Sequence, residues 1–275
     1  MRLTRLFAAA GLAVVASGAG LAIAAPAHAA NAKVSVVHGI PGTPVDVYVN
    51  GNRTLQNFQP KQVAGPLDLP PGQYDIALTA PGQPIGSTIL TVNDATVPDG
   101  ANISLVAHLN ANGQPALTPF VNDTAKLAAG EARLVVRHTA AAPAVDVRAG
   151  GQPVFRNLTN PNEAKADVAA GTVSADVVLA GTSTVALGPT SLTLREGTAT
   201  TVYAIGSAQQ NSLDVVAQTI TGLHSTPGGV PSGTGGQADN RPGGWLYAAL
   251  VLGAALALGG AVHAARTARV ARATR

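Results

Sequence analysis

Two histidines and two aspartates recur in this chain of 275 residues at one fixed spacing: His38 is followed eight residues later by Asp46, and His138 by Asp146. An imidazole with a carboxylate partner is the unit from which metal ligands, general bases and pH switches are made. One His and one Asp provide only two ligands, however, where a closed Zn²⁺ site takes four. Each His also ends an apolar run just before a Pro-containing loop, and each Asp falls on the outward side of the next run. The pair therefore reads first as a device that fixes the loop, with binding or metal ligation second and catalysis third. No cofactor or metal is expected, and no residue is assigned a catalytic role.

Other residues capable of chemistry are sparser. His108 falls outward by alternation and corresponds to Ile205 in the later part of the chain, which predicts a surface histidine. Asn93, Asp94 and Asp99 resemble a Ca²⁺ loop but lack the dense alternating oxygen ligands such a loop needs, so they read as turn residues. Cysteine is absent, which removes thiol chemistry and disulfides together. A Gly-x-Ser-x-Gly elbow, a His-Glu-x-x-His pair and a phosphate-binding Gly-x-x-x-x-Gly-Lys are also missing, and the chain is not expected to be an enzyme.

The elements that must position these residues come from an internal duplication. VSVVHGIPGTPVDVYVNG, starting at Val34, returns as LVVRHTAAAPAVDVRAGG, starting at Leu134. Asn57 and Asn157 keep the same register. The period is too long for a solenoid and suits two tandem domains of about 100 residues each. Alternating β-branched residues predict strands at 33–38, 45–49, 73–79, 87–92, 102–109 and 114–121. The second copy predicts them at 133–138, 144–149, 172–179, 183–187, 191–194, 198–205 and 211–219. Asn50-Gly51 is a strong hairpin signal, and Pro70-Pro71-Gly72, Pro81-Gly82 and Asp99-Gly100 punctuate the rest. About seven short strands per copy imply a mainly β fold of two tandem immunoglobulin-like antiparallel β-sandwiches, with small β-barrels as the alternative. The expected domains are residues 30–122 and 131–222, joined by a linker at 123–130, and each is expected to be stable alone.

The flanking segments predict placement. Residues 1–29 have the form of a secretory signal: Arg2 and Arg5, an apolar run, then Ala27-His28-Ala29. Cleavage is expected after Ala29, with a retained anchor as the other outcome. Residues 223–244 form a stalk rich in Gly, Ser, Thr and Pro, and residues 245–264 are apolar and long enough for one membrane-spanning helix. The tail at 265–275 carries Arg266, Arg269, Arg272 and Arg275, which by the positive-inside rule makes it cytoplasmic and both domains extracellular. This is a single-pass, type I arrangement.

The formal net charge of +3 misleads, because between Ala30 and Asn240 there are 10 basic residues against 14 acidic ones. No clustered basic face offers a footprint for nucleic acid, which is excluded as a partner. With aromatics at only 3%, platforms for stacking sugars are few. The expected role is structural, adhesive or protein-binding in the cell envelope, with the membrane and another envelope protein or a cell-wall glycan as partners. The alternative is a solute or glycan receptor at the surface.

The repeated stretch, with Leu69-Pro70-Pro71-Gly72-Gln73-Tyr74 after it, resembles exported bacterial proteins, common in actinobacteria, that carry the domain of unknown function 4397. The resemblance extends over both copies, roughly residues 32–222. The second copy departs from it, with Arg148 in place of Tyr48 and no Leu-Pro-x-Gly-x-Tyr. The resemblance implies β-sandwich modules at the cell surface and supplies no activity or site residues.

Overall fold

The computed structural model describes residues 29–225, and these form mainly β-structure with no helix among them. The signal segment apart from Ala29, nearly all of the stalk, the expected membrane helix and the basic tail lie outside the described residues. The first repeat has eight strands. They are β1 (Ala32–His38), β2 (Val45–Val49), β3 (Asn52–Phe58), β4 (Val63–Leu69), β5 (Gly72–Thr79), β6 (Thr88–Val97), β7 (Asn102–Leu109) and β8 (Pro115–Val121). The second repeats the series as β9 (Glu131–His138), β10 (Val145–Ala149), β11 (Gln152–Leu158), β12 (Glu163–Ala169), β13 (Gly171–Leu179), β14 (Val185–Leu194), β15 (Ala199–Ile205) and β16 (Asp214–Ile220).

Each repeat is two four-stranded sheets facing one another. The orders β3-β2-β5-β6 and β4-β1-β7-β8 return as β11-β10-β13-β14 and β12-β9-β15-β16. All four sheets are open, so the barrel alternative does not hold. Alternation drives the facing: Val34 and Val36 of β1 meet Val45 and Val47 of β2 in one core with Ile76, Leu78, Ile103 and Leu105. Leu134, Val136, Val145 and Val147 do the same in the second repeat.

Three expectations need correction. The sheets are not wholly antiparallel, because β1 runs parallel to β7 and β9 parallel to β15. Strands β3, β4, β11 and β12 were not expected at all. They are sheet edges whose outer residues are polar or whose pattern is interrupted, as by Gly65-Pro66 inside β4, where proline is tolerated because an edge strand need not donate. The segments at 183–187 and 191–194 belong to one strand, β14.

The segment between the repeats is also docked rather than free. Leu127 is buried with Ala199 and Leu223, and its amide donates to the Leu223 carbonyl at 2.7 Å. Asp123 accepts from Arg133 at 2.9 Å and from Lys165 at 2.7 Å.

The two repeats share a buried seam. The β4-β1-β7-β8 and β12-β9-β15-β16 sheets turn their second faces to each other, and Val37, Val106 and Phe120 pack on Tyr203, Ile205 and Val216. Gly39 sits where a Cβ would come within 2.8 Å of the Ile205 Cγ2 and 3.1 Å of the Ala107 carbonyl, so the approach requires glycine. Residues 29–225 thus hold every strand partner and both cores within one compact unit.

Candidate functional site

The repeated histidines lie at the ends of β1 and β9, turned toward the loops that follow. His38 is fully buried beside Phe58, at 5.5 Å between ring centroids. Its Nε2 lies 3.0 Å from the Thr43 carbonyl and its Nδ1 accepts from the Ile40 amide at 3.4 Å, which sets the neutral Nε2–H tautomer. His138 repeats the first contact, with Nε2 at 3.0 Å from the Pro143 carbonyl, while its Nδ1 is buried without a partner. Burial lowers the pKa of both rings, partly offset by the carbonyls they face.

The aspartates do different work and do not bond to the histidines. Asp46 stands off the core face of β2, as alternation requires, yet it is fully buried because a bulge in β3 and the β5–β6 loop close over it. Its carboxylate accepts from the Asn57 amide at 2.7 Å, the Gly82 amide at 3.0 Å and Arg53 at 3.2 Å. Burial pushes this carboxyl up, but the three donors outweigh it and hold the pKa below the usual range. Asp146 accepts from the Asn157 amide at 2.7 Å and the Gly181 amide at 3.0 Å, which hold it low in the same way. Asn57 and Asn157 both take positive φ, 51° and 52°, a conformation asparagine adopts more readily than most residues. The register kept by Asp46, Asn57 and their copies is therefore a strand-to-bulge clamp. Among the described residues, no three His, Cys, Asp or Glu side chains gather as metal ligands.

His108 is not at the surface. It does face away from its own core, but the second repeat covers it, and its nitrogens lie 3.0 Å from the Leu109 carbonyl and 2.8 Å from the Thr118 hydroxyl. Ile205, its counterpart, is buried in the same seam.

Polar groups that sequence reasoning missed cross that seam. Arg137, only 1% exposed, donates to Glu163 at 2.8 Å, the Tyr203 hydroxyl at 2.8 Å and the first repeat's Asn122 at 2.9 Å. Its guanidinium lies 4.4 Å from the Phe120 ring centroid and 5.3 Å from that of Tyr203. Tyr203 in turn donates to Gln218 at 2.6 Å, and Ser104 of the first repeat reaches the same Gln218 oxygen at 2.8 Å. Burial raises the Tyr203 phenol pKa, with Arg137 acting against it. Lys61 with Asp214 at 2.7 Å, and Asn160 donating to Leu109 at 2.8 Å, add contacts between the repeats. The signal available in the sequence was burial on both faces: runs such as LVV in β9 and SLVAHL in β7 are nearly continuous, where a half-solvated strand alternates.

Residues 32–148 match the family described as Domain of unknown function (DUF4397). The match starts with β1 and ends within β10, so it covers the first repeat and the opening of the second. It includes both His and Asp pairs and stops short of the expected residue 222. None of the curated proteins matches the chain. The duplication itself is visible in the repeated strand order and register.

The repeats differ most in their cores. The first has a cavity of about 120 Å³ and the second one of about 420 Å³, each partly open and lined mainly by core-facing aliphatic side chains of the two sheets. Register equates Tyr74 with Val173, Ile76 with Ala175, Val49 with Ala149 and Leu105 with Val202. Each change trims a side chain. Only a few, such as Leu192 where Ala95 stands, restore volume. The sheets also close differently. Strands β6 and β8 meet along the first sandwich's edge, whereas β14 and β16 approach less, leaving the second cavity the more open of the two.

Proposed function

We propose that this chain is an exported envelope protein, held in the membrane by residues 245–264, whose two repeats act outside the cell as one rigid binding or structural body and not as an enzyme. The observation that carries this reading is the use made of the repeated ionisable residues. His38, His138, Asp46 and Asp146 are all engaged with loop backbone groups, a pattern that serves rigidity. The seam around Arg137 supports it further, since a body fixed across a polar network presents its loops in a constant arrangement. An immunoglobulin-like relationship for each two-sheet unit is part of the same proposal and rests on the facing four-stranded sheets. The favoured partner is another envelope protein, with a wall glycan as the alternative.

Mass spectrometry of the mature protein should find an N-terminus at Ala30. Protease added to intact protoplasts should digest both repeats and spare the tail, and crosslinking on whole cells should recover an envelope protein. A retained Met1 with protected repeats would overturn the placement. Tight, saturable binding to wall saccharide would replace the favoured partner with the glycan.

A further inference from the structure

We propose that the second sandwich binds one medium-length alkyl chain with a neutral head, in the cavity between its two sheets. The fold itself does not require so large a space, because the first repeat, with Tyr74, Ile76 and Leu105 at the equivalent positions, leaves only about 120 Å³. The second repeat has trimmed these positions together, to Val173, Ala175 and Val202, and the resulting walls are aliphatic. No aromatic side chain lines the cavity, so a sugar would find no stacking platform and its hydroxyls would lose water without replacement. A slender apolar chain gives up no hydrogen bonds by entering. By proportion with the engineered cavity of about 150 Å³ that holds the six carbons of benzene, about 420 Å³ has room for roughly 17 non-hydrogen atoms, more than a chain of about eight to twelve carbons with its head requires.

The rim decides the head. Thr190, Ser191 and Asp214 are the neutral and acidic groups there, and Arg148 pairs with Asp176 where the first repeat has Tyr48 and Ala77. Arg148 donates through Nε at 2.8 Å, and Asp214 is held by Lys61 from the first repeat at 2.7 Å. Both cations are thus already engaged, and a carboxylate head would have to compete with Asp176 or Asp214 for them. A hydroxyl head needs only a hydrogen-bond partner such as Thr190 or Ser191. Site and head preference follow from the two cores alone and do not depend on where the protein resides.

Isothermal titration of residues 30–225 with n-octanol should give one saturable site per chain, and octanoate should bind more weakly. Val173→Tyr with Ala175→Ile, which restores the first repeat's residues, should weaken octanol binding about tenfold or more and raise the melting temperature. Methyl NMR supplies a readout that needs no variant: signals of Val136, Val177 and Val202 should shift on titration, while those of Val36 and Leu78 stay fixed. Absence of a saturable site overturns the proposal, as do equal affinity in the filled variant and equal shifts in both repeats. Tighter binding of octanoate overturns the assignment of the head.

Discussion

Replacing Arg137 by Ala is the most direct test of whether the two repeats are one folding unit. The substitution removes a donor from Glu163, Tyr203 and Asn122 at once and takes the guanidinium off Phe120. Glu163 is 30% exposed and returns to water at little cost. Asn122 and Tyr203 lie inside the seam and lose a charged donor, at about 1.5–3 kcal/mol for each such bond. The Arg side chain's own desolvation penalty is relieved, so the net loss should be about 3–5 kcal/mol. Arg137→Met keeps the apolar stem against Phe120 while still removing the charged donor from both acceptors, and should cost roughly half as much.

The assay is urea unfolding of residues 30–225 followed by amide exchange in each repeat separately. Wild type should unfold in one transition. Because Asn122 and Phe120 belong to the first repeat, Arg137→Ala should weaken protection in β7 and β8 as well as in β9 and β15. A loss below about 1 kcal/mol would refute the reasoning, since it would mean the network is already satisfied by water. Two separate wild-type transitions, with only the second moved by the substitution, would refute the single unit and restore two independently stable domains.

Asp46→Ala should cost about 2–4 kcal/mol in the same urea assay, because it strands the Asn57 and Gly82 amides, and Asp46→Asn should recover part of it; an Ala variant as stable as wild type would remove the clamp. Asp146→Ala should shift stability in the same direction. Acidification should destabilise the protein from about pH 6.5 downward. His38, His108 and His138 have folded pKa values lowered by burial, so the unfolded chain binds more protons below 6.5 and stability is lost as pH falls. The depressed pKa values of Asp46 and Asp146 extend the loss below about pH 4. A melting temperature that stays flat or rises between pH 8 and pH 5 would count against the neutral buried rings.

What the sequence made legible was whatever a single strand or turn decides locally. Alternation located β2 and its copy, while short runs rich in β-branched and aliphatic residues between turn signals located β1, β7 and their copies. Asn50-Gly51 set its hairpin through positive φ at both positions, 47° and 79°. The edge strands were hidden because they bury little, and their placement depends on pairing partners distant in the chain, such as β1 with β4. His108 was read by the same alternation and correctly turned from its own core. Its burial depends on a second sheet that no local pattern in β7 specifies.

The two repeats differ at positions that shape the seam and the larger cavity. Positions kept in both copies, His38, Asp46, Asn57 and their partners, turn out to serve loops that every copy of the fold must close. Two sets of positions that differ alter the seam and the core. Val37 became Arg137, and a methyl contact on one side of the seam faces a charge network on the other. Val173 and Ala175 stand where the first repeat has Tyr74 and Ile76, and a cavity of about 420 Å³ stands against one of about 120 Å³. A duplicated sandwich needs only one of its copies to keep a close-packed interior if the other leans on it through a shared face. The Arg137 contacts to Asn122 and Phe120 join the second copy to the first, and the larger cavity of that second copy is where the proposed alkyl chain would sit.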